Sequence, residues 1–293
     1  MSEIRPILLA TDFSPGAARA TALAADAAKA LSAPLVVVHA IDLRASLPPE
    51  VPSSIAPAAD AFSARLKARD ALASEALARE AERARALGAE ADARLIDGHP
   101  WEAAIAEAAR AGAELIVVGP HGEGGAVRAS LPQAVEWILG STADRVVRHA
   151  ACPVLVAPHE GATASIAGST WLVAIDFEHA SRTALARAVG LARRAGSRIV
   201  AAHVARDAAQ ADQAGPKLRA MAKELAPGED VALETRVVVG DPVEQLTQLA
   251  RETSAALIVC GTHGGSRLVQ AVLGSVADKL LRRATVPVLT MRA

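Results

Sequence analysis

Short apolar runs recur along this chain, separated by longer stretches in which Ala, Leu and Val return at helical spacing. In the first half the runs fall at 7–11, 35–41, 93–96, 115–118 and 154–157. In the second half they fall at 171–175, 199–204, 232–239, 257–260 and 288–291. Ser14 followed by Pro15 reads as a helix N-cap and first helical position, and Pro100 opens a later helix. Strands alternating with helices predict parallel sheets with right-handed crossovers, a doubly wound α/β arrangement.

The halves are one unit written twice. ILLATDFSPGAARATALAADAAKAL near the start reappears as WLVAIDFEHASRTALARAVGLARRA, pairing Asp12 with Asp176 and His39 with His203 at an offset of 164. Gly98 pairs with Gly240 and Gly119 with Gly261 at 142, and Gly140 pairs with Gly274 and Pro153 with Pro287 at 134. The steps locate the differences between the copies. The first half has 22 extra residues between its second and third strands (164 − 142) and 8 more after its fourth (142 − 134). The predicted organisation is a five-stranded unit over 1–158, a linker over 159–168 and a second unit over 169–293. The extra segment, ASLPPEVPSSIAPAADAF, reads as a surface loop or a lid leading into a long charged helix that ends near Leu87.

Composition narrows the function. With 2% aromatic residues, stacking platforms for single-stranded nucleic acid are not expected. A net charge of -1 gives no broad basic field for a phosphate polymer or an anionic membrane, so any phosphate binding should be local. Cys152 and Cys260 lie beside apolar runs without metal-ligand spacing and read as buried thiols of a reducing compartment. No apolar span is long enough for a membrane and no signal pattern is legible, so a cytoplasmic protein is expected.

The chemistry concentrates in LIVCGTHGGSRLVQAVLGSVADKLLRRATVPVLTM, 257–291. A strand ends at Cys260, glycines follow at Gly261 and Gly264, and a helix starts at Gly274 and Ser275. Glycines after a parallel strand let backbone approach a ligand, and the helix start offers unpaired N–H groups to an anion. Neither G-x4-G-K-S/T nor G-x-G-x-x-G occurs.

Gly261-x2-Gly264-x9-Gly274-Ser275 after a strand resembles the nucleotide-binding signature of the universal stress protein family, and the repeat extends the resemblance over nearly the whole chain. The resemblance implies two tandem adenine nucleotide α-hydrolase-like domains, each with strand order 3-2-1-4-5, binding ATP or ADP with Mg2+. It assigns Asp176 and Val204 to the adenosine side, and Ala174, Ile175 and Cys260 to the cofactor site as a whole. Gly261, His263, Gly264, Gly274, Ser275 and Val276 match the triphosphate-loop positions, and by residue type Arg267 would supply positive charge beside them. A weaker first-half site would use Asp12, Gly119, His121, Gly122, Gly140, Ser141 and Thr142, where x9 has become x17. The resemblance further implies that the last strand of each half pairs the domains internally, with a homodimer also open.

Plainer readings stand beside these. Asp176 alone is an ordinary helix-start or turn aspartate, and His39 and His203 are core histidines at strand ends or support the site from behind rather than touching a ligand. No nucleophile and base pair and no motif of nucleotide-transferring enzymes stands out, so binding with at most slow ATP hydrolysis is expected rather than turnover. A tandem scaffold acting through protein partners, without nucleotide, is the alternative.

Overall fold

The computed structural model describes residues 4–42, 56–120, 139–160, 164–228, 230–262 and 273–292. The first half contains β1 (Ile7–Ala10), α1 (Pro15–Ala30), β2 (Leu35–Ile41), α2 (Ala56–Ala86), β3 (Ala91–Asp97), α3 (Pro100–Arg110), β4 (Leu115–Val118), α4 (Ser141–His149) and β5 (Val154–Val156). The second contains β6 (Thr170–Ala174), α5 (His179–Ala195), β7 (Arg198–Ala205), α6 (Ala208–Leu225), β8 (Leu233–Val239), α7 (Pro242–Glu252), β9 (Ala255–Gly261), α8 (Ser275–Arg283) and β10 (Val288–Met291). All ten apolar runs are strands.

The strands form one ten-stranded sheet in the order β3-β2-β1-β4-β5-β10-β9-β6-β7-β8. Within each half every pairing is parallel. The halves meet antiparallel through β5 and β10, with Leu155 opposite Leu289 and Thr290 opposite Val154. Alternate strand residues point to opposite faces, so Leu9, Val173 and Val259 enter one core while Leu8, Leu172 and Ile258 enter the other. Leu23, Leu77, Leu185 and Leu218 of α1, α2, α5 and α6 cover the first face. Ala108, Val146, Leu246 and Leu280 of α3, α4, α7 and α8 cover the second. Small alanines let helices lie close to the sheet, as along α1, where Ala17, Ala20, Ala24 and Ala27 are buried.

Local signals explain the helix ends. Ser14 Oγ accepts from Ala17 N at 3.3 Å, with Pro15 in the first turn. Asp241 Oδ1 accepts from Val243 N at 2.9 Å and Glu244 N at 3.1 Å to open α7. One expectation needs correction. The extra segment read as a loop through Phe62, yet α2 begins at Ala56. Pro57 is compatible with a first helical turn, and the alanine-rich sequence after it favours helix. Residues 43–55 lie outside the described residues.

The stretch between the halves is fastened down. Asp26 Oδ1 accepts from Ser165 Oγ at 2.8 Å and Asp26 Oδ2 from Ile166 N at 2.7 Å. Ile166 O in turn accepts from Trp171 Nε1 at 2.9 Å and from Ser197 Oγ at 2.6 Å. His159 is buried, with Nε2 3.3 Å from Leu281 O.

Candidate functional site

β6 and β9 lie side by side, with Val173 opposite Val259, and the chain leaves them in opposite directions across the sheet. Such a switch in strand order leaves a crevice beyond the carboxyl ends of the two strands. Beyond β6, Ile175 N donates to Ala202 O at 2.8 Å. Exposed Asp176 folds into a turn, its Oδ1 accepting from Glu178 N at 3.0 Å and its N–H donating to Ser181 Oγ at 3.3 Å. Asp176 thus stands in the turn ahead of α5, whose N-cap is Glu178. That turn leaves its second carboxylate oxygen without a hydrogen bond among the described residues.

The next residue, Phe177, has a φ of 66° and lays its ring 4.6 Å from that of His203. His203 Nδ1–H donates to Ile175 O at 2.7 Å, tying the end of β7 to the turn after β6. His203 is thus a structural residue, as its position in an apolar run suggested. Val204 follows it, half-buried. The sequence signal for Phe13 and Phe177 is the Asp-Phe dipeptide that recurs in both copies.

At the end of β9, Cys260 is 4% exposed. Burial pushes its thiol up to about 12, with the nearby Asp176 charge adding to the effect, so it stays protonated and unreactive. Asp176 follows β6 and Cys260 lies at the end of the neighbouring strand β9, so both stand at the same end of the crevice. Gly261 lies against α5, where a Cβ built on it would come 3.0 Å from Ala180 Cβ. Thr262 N donates to Met291 O at 2.9 Å, and Gly274 N to Thr262 O at 2.8 Å, closing the base of the glycine loop.

Gly274 is the N-cap of α8 and supplies no side-chain cap. The first-turn amides of a helix, here including those of Ser275 and Val276, have no acceptor within the helix. Ser275 is exposed and Val276 half-buried. His263, Gly264 and Arg267 lie outside the described residues, as do His121 and Gly122.

The first half repeats this framework. Asp12 Oδ1 accepts from Ser14 N at 3.1 Å, and Phe13, φ 63°, sits 4.3 Å from the ring of His39. His39 Nδ1–H donates to Thr11 O at 2.8 Å. Gly119 approaches α1, its built Cβ 3.3 Å from Gly16 O. Gly140 N donates to Pro120 O at 2.8 Å and caps α4 without a side chain, ahead of Ser141 and Thr142. The loop's base is therefore alike in both halves despite the length difference.

The universal stress protein family model matches residues 3–158 and 170–292. The chain belongs to the universal stress protein family. It is 32% identical over 193 residues to universal stress protein Rv2005c of Mycobacterium tuberculosis, a match covering 61% of this chain. This chain spans 62% of the length of that relative. It is 32% identical over 143 residues to universal stress protein YxiE of Bacillus subtilis, covering 41% of this chain and 97% of the relative. Among solved structures, a universal stress protein from Archaeoglobus fulgidus aligns over 98% of both chains with a TM-score of 0.71 and 22% identity, which shows the shared fold. No helix among the described residues is long and apolar enough to cross a membrane.

Proposed function

We propose that this universal stress protein holds an adenine nucleotide, ATP or ADP, in its second half and reports nucleotide status through its shape during stress. The observation that carries the reading is convergence at one crevice. Asp176, Val204 and Gly261 lie at or just beyond the ends of neighbouring strands, and α8 starts beside them without a side-chain cap. Adenosine would lie toward Ala174, Ile175, Asp176 and Val204, with the phosphates toward Gly261 and the amides of Ser275 and Val276.

The donor set fits the ligand: backbone N–H groups at a helix start suit phosphate oxygens, and an aspartate suits ribose hydroxyls. No group of three or more His, Cys, Asp or Glu that could hold a metal occurs among the described residues. Mg2+ would therefore arrive with the nucleotide, held mainly by phosphate oxygens and water. In this reading 1–158 and 169–293 are the two domains joined by 159–168, pairing internally through β5 and β10 in the cytoplasm, and the first half is the weaker or empty site.

The test is to denature purified protein and quantify released nucleotide from wild type, Ser275→Asp and Ser141→Asp. An aspartate in the first turn favours the helix and repels phosphate, so each variant should fold and lose only its own site. About one nucleotide per chain, lost in Ser275→Asp and kept in Ser141→Asp, supports the reading. ATP at about a hundred times its Kd should also stabilise the fold by about 2.7 kcal/mol. If nothing is released and ATP leaves the Tm unmoved, the reading fails. The scaffold alternative, motivated by the first half's lengthened loop, would then take its place.

A further inference from the structure

The crease between the two halves is filled on one side and open on the other. On the filled side Asp26 of α1 fastens Ser165 and Ile166, and the Ile166 side chain is buried. The repeat puts Gly190 of α5 where Asp26 stands in α1. There the crease is a cavity of about 520 Å³ between α5, the end of α3 and the amino-terminal ends of β4 and β5. That size lies within the range of about 300–1,000 Å³ typical of small-molecule pockets. Ile105, Ile116 and Leu191 give it apolar walls.

Charge distinguishes this side from its counterpart. Arg5, Arg187, Arg194 and Glu114 line the cavity. Their repeat partners are Ser169, Leu23, Ala30 and Ala256, none of them charged. Two of the arginines are engaged. Arg5 Nε donates to Gly112 O at 2.8 Å and its Nη2 to Ala113 O at 3.0 Å. Arg194 pairs with Glu114 at 2.5 Å and also donates to Leu31 O. Arg187 is exposed and makes no hydrogen bond or ion pair with another described residue. The half-buried Cys152 also lines the cavity. Burial pushes its thiol up, while the charges of Arg5 and Arg187 act the other way.

We propose that this crease is a second ligand site, separate from the nucleotide crevice, which takes a small amphipathic carboxylate. Its apolar body occupies the space between Ile105, Ile116 and Leu191. Its head accepts from Arg187. On the filled side a carboxylate on the helix receives donors from the linker, whereas here the helix offers a guanidinium donor to the cavity. One unengaged arginine matches a monoanion, and its planar fork matches a carboxylate.

The experiment is titration calorimetry of the full chain with decanoate below its micelle concentration, alongside decanol and decyl phosphate. It is paired with the rate of Cys152 alkylation. Saturable one-to-one binding of decanoate is expected, with alkylation of Cys152 slowed and buried Cys260 unaffected. Arg187→Gln should weaken binding about tenfold or more, the loss of one charge-assisted contact. Gly190→Leu should abolish it by filling the space, since a Cβ at Gly190 meets nothing within 4 Å and the helix tolerates the change. Nucleotide content should stay the same in both variants. Three results would overturn the proposal: no saturable binding, decanol or decyl phosphate binding as well as decanoate, or binding unchanged in Gly190→Leu.

Discussion

Gly261 faces the first turn of α5 so closely that a Cβ built on it would lie 3.0 Å from Ala180 Cβ and 3.1 Å from Ala180 C. The glycine is therefore required for helix and strand to meet, whatever the crevice binds. Gly261→Ala should destabilise the fold by about 1–3 kcal/mol through overpacking. Gly119→Ala should cost less, because its nearest contact, Gly16 O, is 3.3 Å away. Urea unfolding of the two variants checks the order. Equal stability with wild type for Gly261→Ala would mean that α5 shifts freely.

Phe177 and Phe13 hold φ values of 66° and 63°, a conformation that costs a residue with a side chain about 1–2 kcal/mol. Their rings lie against His203 and His39, contacts that offset the cost. Phe177→Ala loses the ring and keeps the backbone strain, whereas Phe177→Gly loses the ring and relieves it. The alanine variant should thus be the less stable of the two by about 1 kcal/mol. Thermal unfolding of both proteins decides. A more stable alanine variant would show that the turn relaxes away from positive φ once the ring is gone.

The strands were legible because buried parallel strands are continuous apolar runs, and because each half vouched for the other through pairs such as Asp12 and Asp176. The start of α2 was not legible. Pro48, Pro49 and Pro52 suggested a loop, and propensity alone did not mark where the alanines after Ser54 would take over. Nor was the fastening of the stretch between the halves, since Asp26 meets Ile166 across 140 residues of chain. At the crevice, residue types at strand ends were readable from the repeat. The packing role of Gly261 was not, because it depends on where α5 passes.

Leu155 and Leu289 stand opposite each other where the halves meet, and both are buried. Truncating either to alanine should cost about 2–5 kcal/mol. If the halves fold as one unit across this seam, the double variant should depart from additivity by about 0.5 kcal/mol or more. Additive losses, with two separate unfolding transitions, would instead describe halves that fold independently. The outer strands favour closure at ten. β3 carries Asp92 and Arg94 and β8 carries Glu234 and Arg236, charges that discourage further strand pairing.

Glu107 is 6% exposed and accepts from Arg110 at 2.6 Å and from Arg94 at 2.7 Å, joining α3 to β3. The hydrogen bond from Arg110 holds its carboxyl below the usual 4.5, burial opposes this, and Arg94 adds to the lowering. A carboxylate whose folded pKa is depressed contributes stability above its unfolded pKa and loses it as pH falls through the folded value. Glu107→Gln should therefore be less stable than wild type at neutral pH by about 1–3 kcal/mol, the worth of hydrogen bonds to a charged group. As pH falls from about 4.5, where the unfolded chain begins to take up the proton, through the lower folded value, the wild type gives up this advantage, so the difference between the two proteins should shrink. Urea unfolding from neutral to acid pH measures that difference directly. A gap that stays constant would mean that the shape of the Glu107 side chain, rather than its charge, holds α3 against β3.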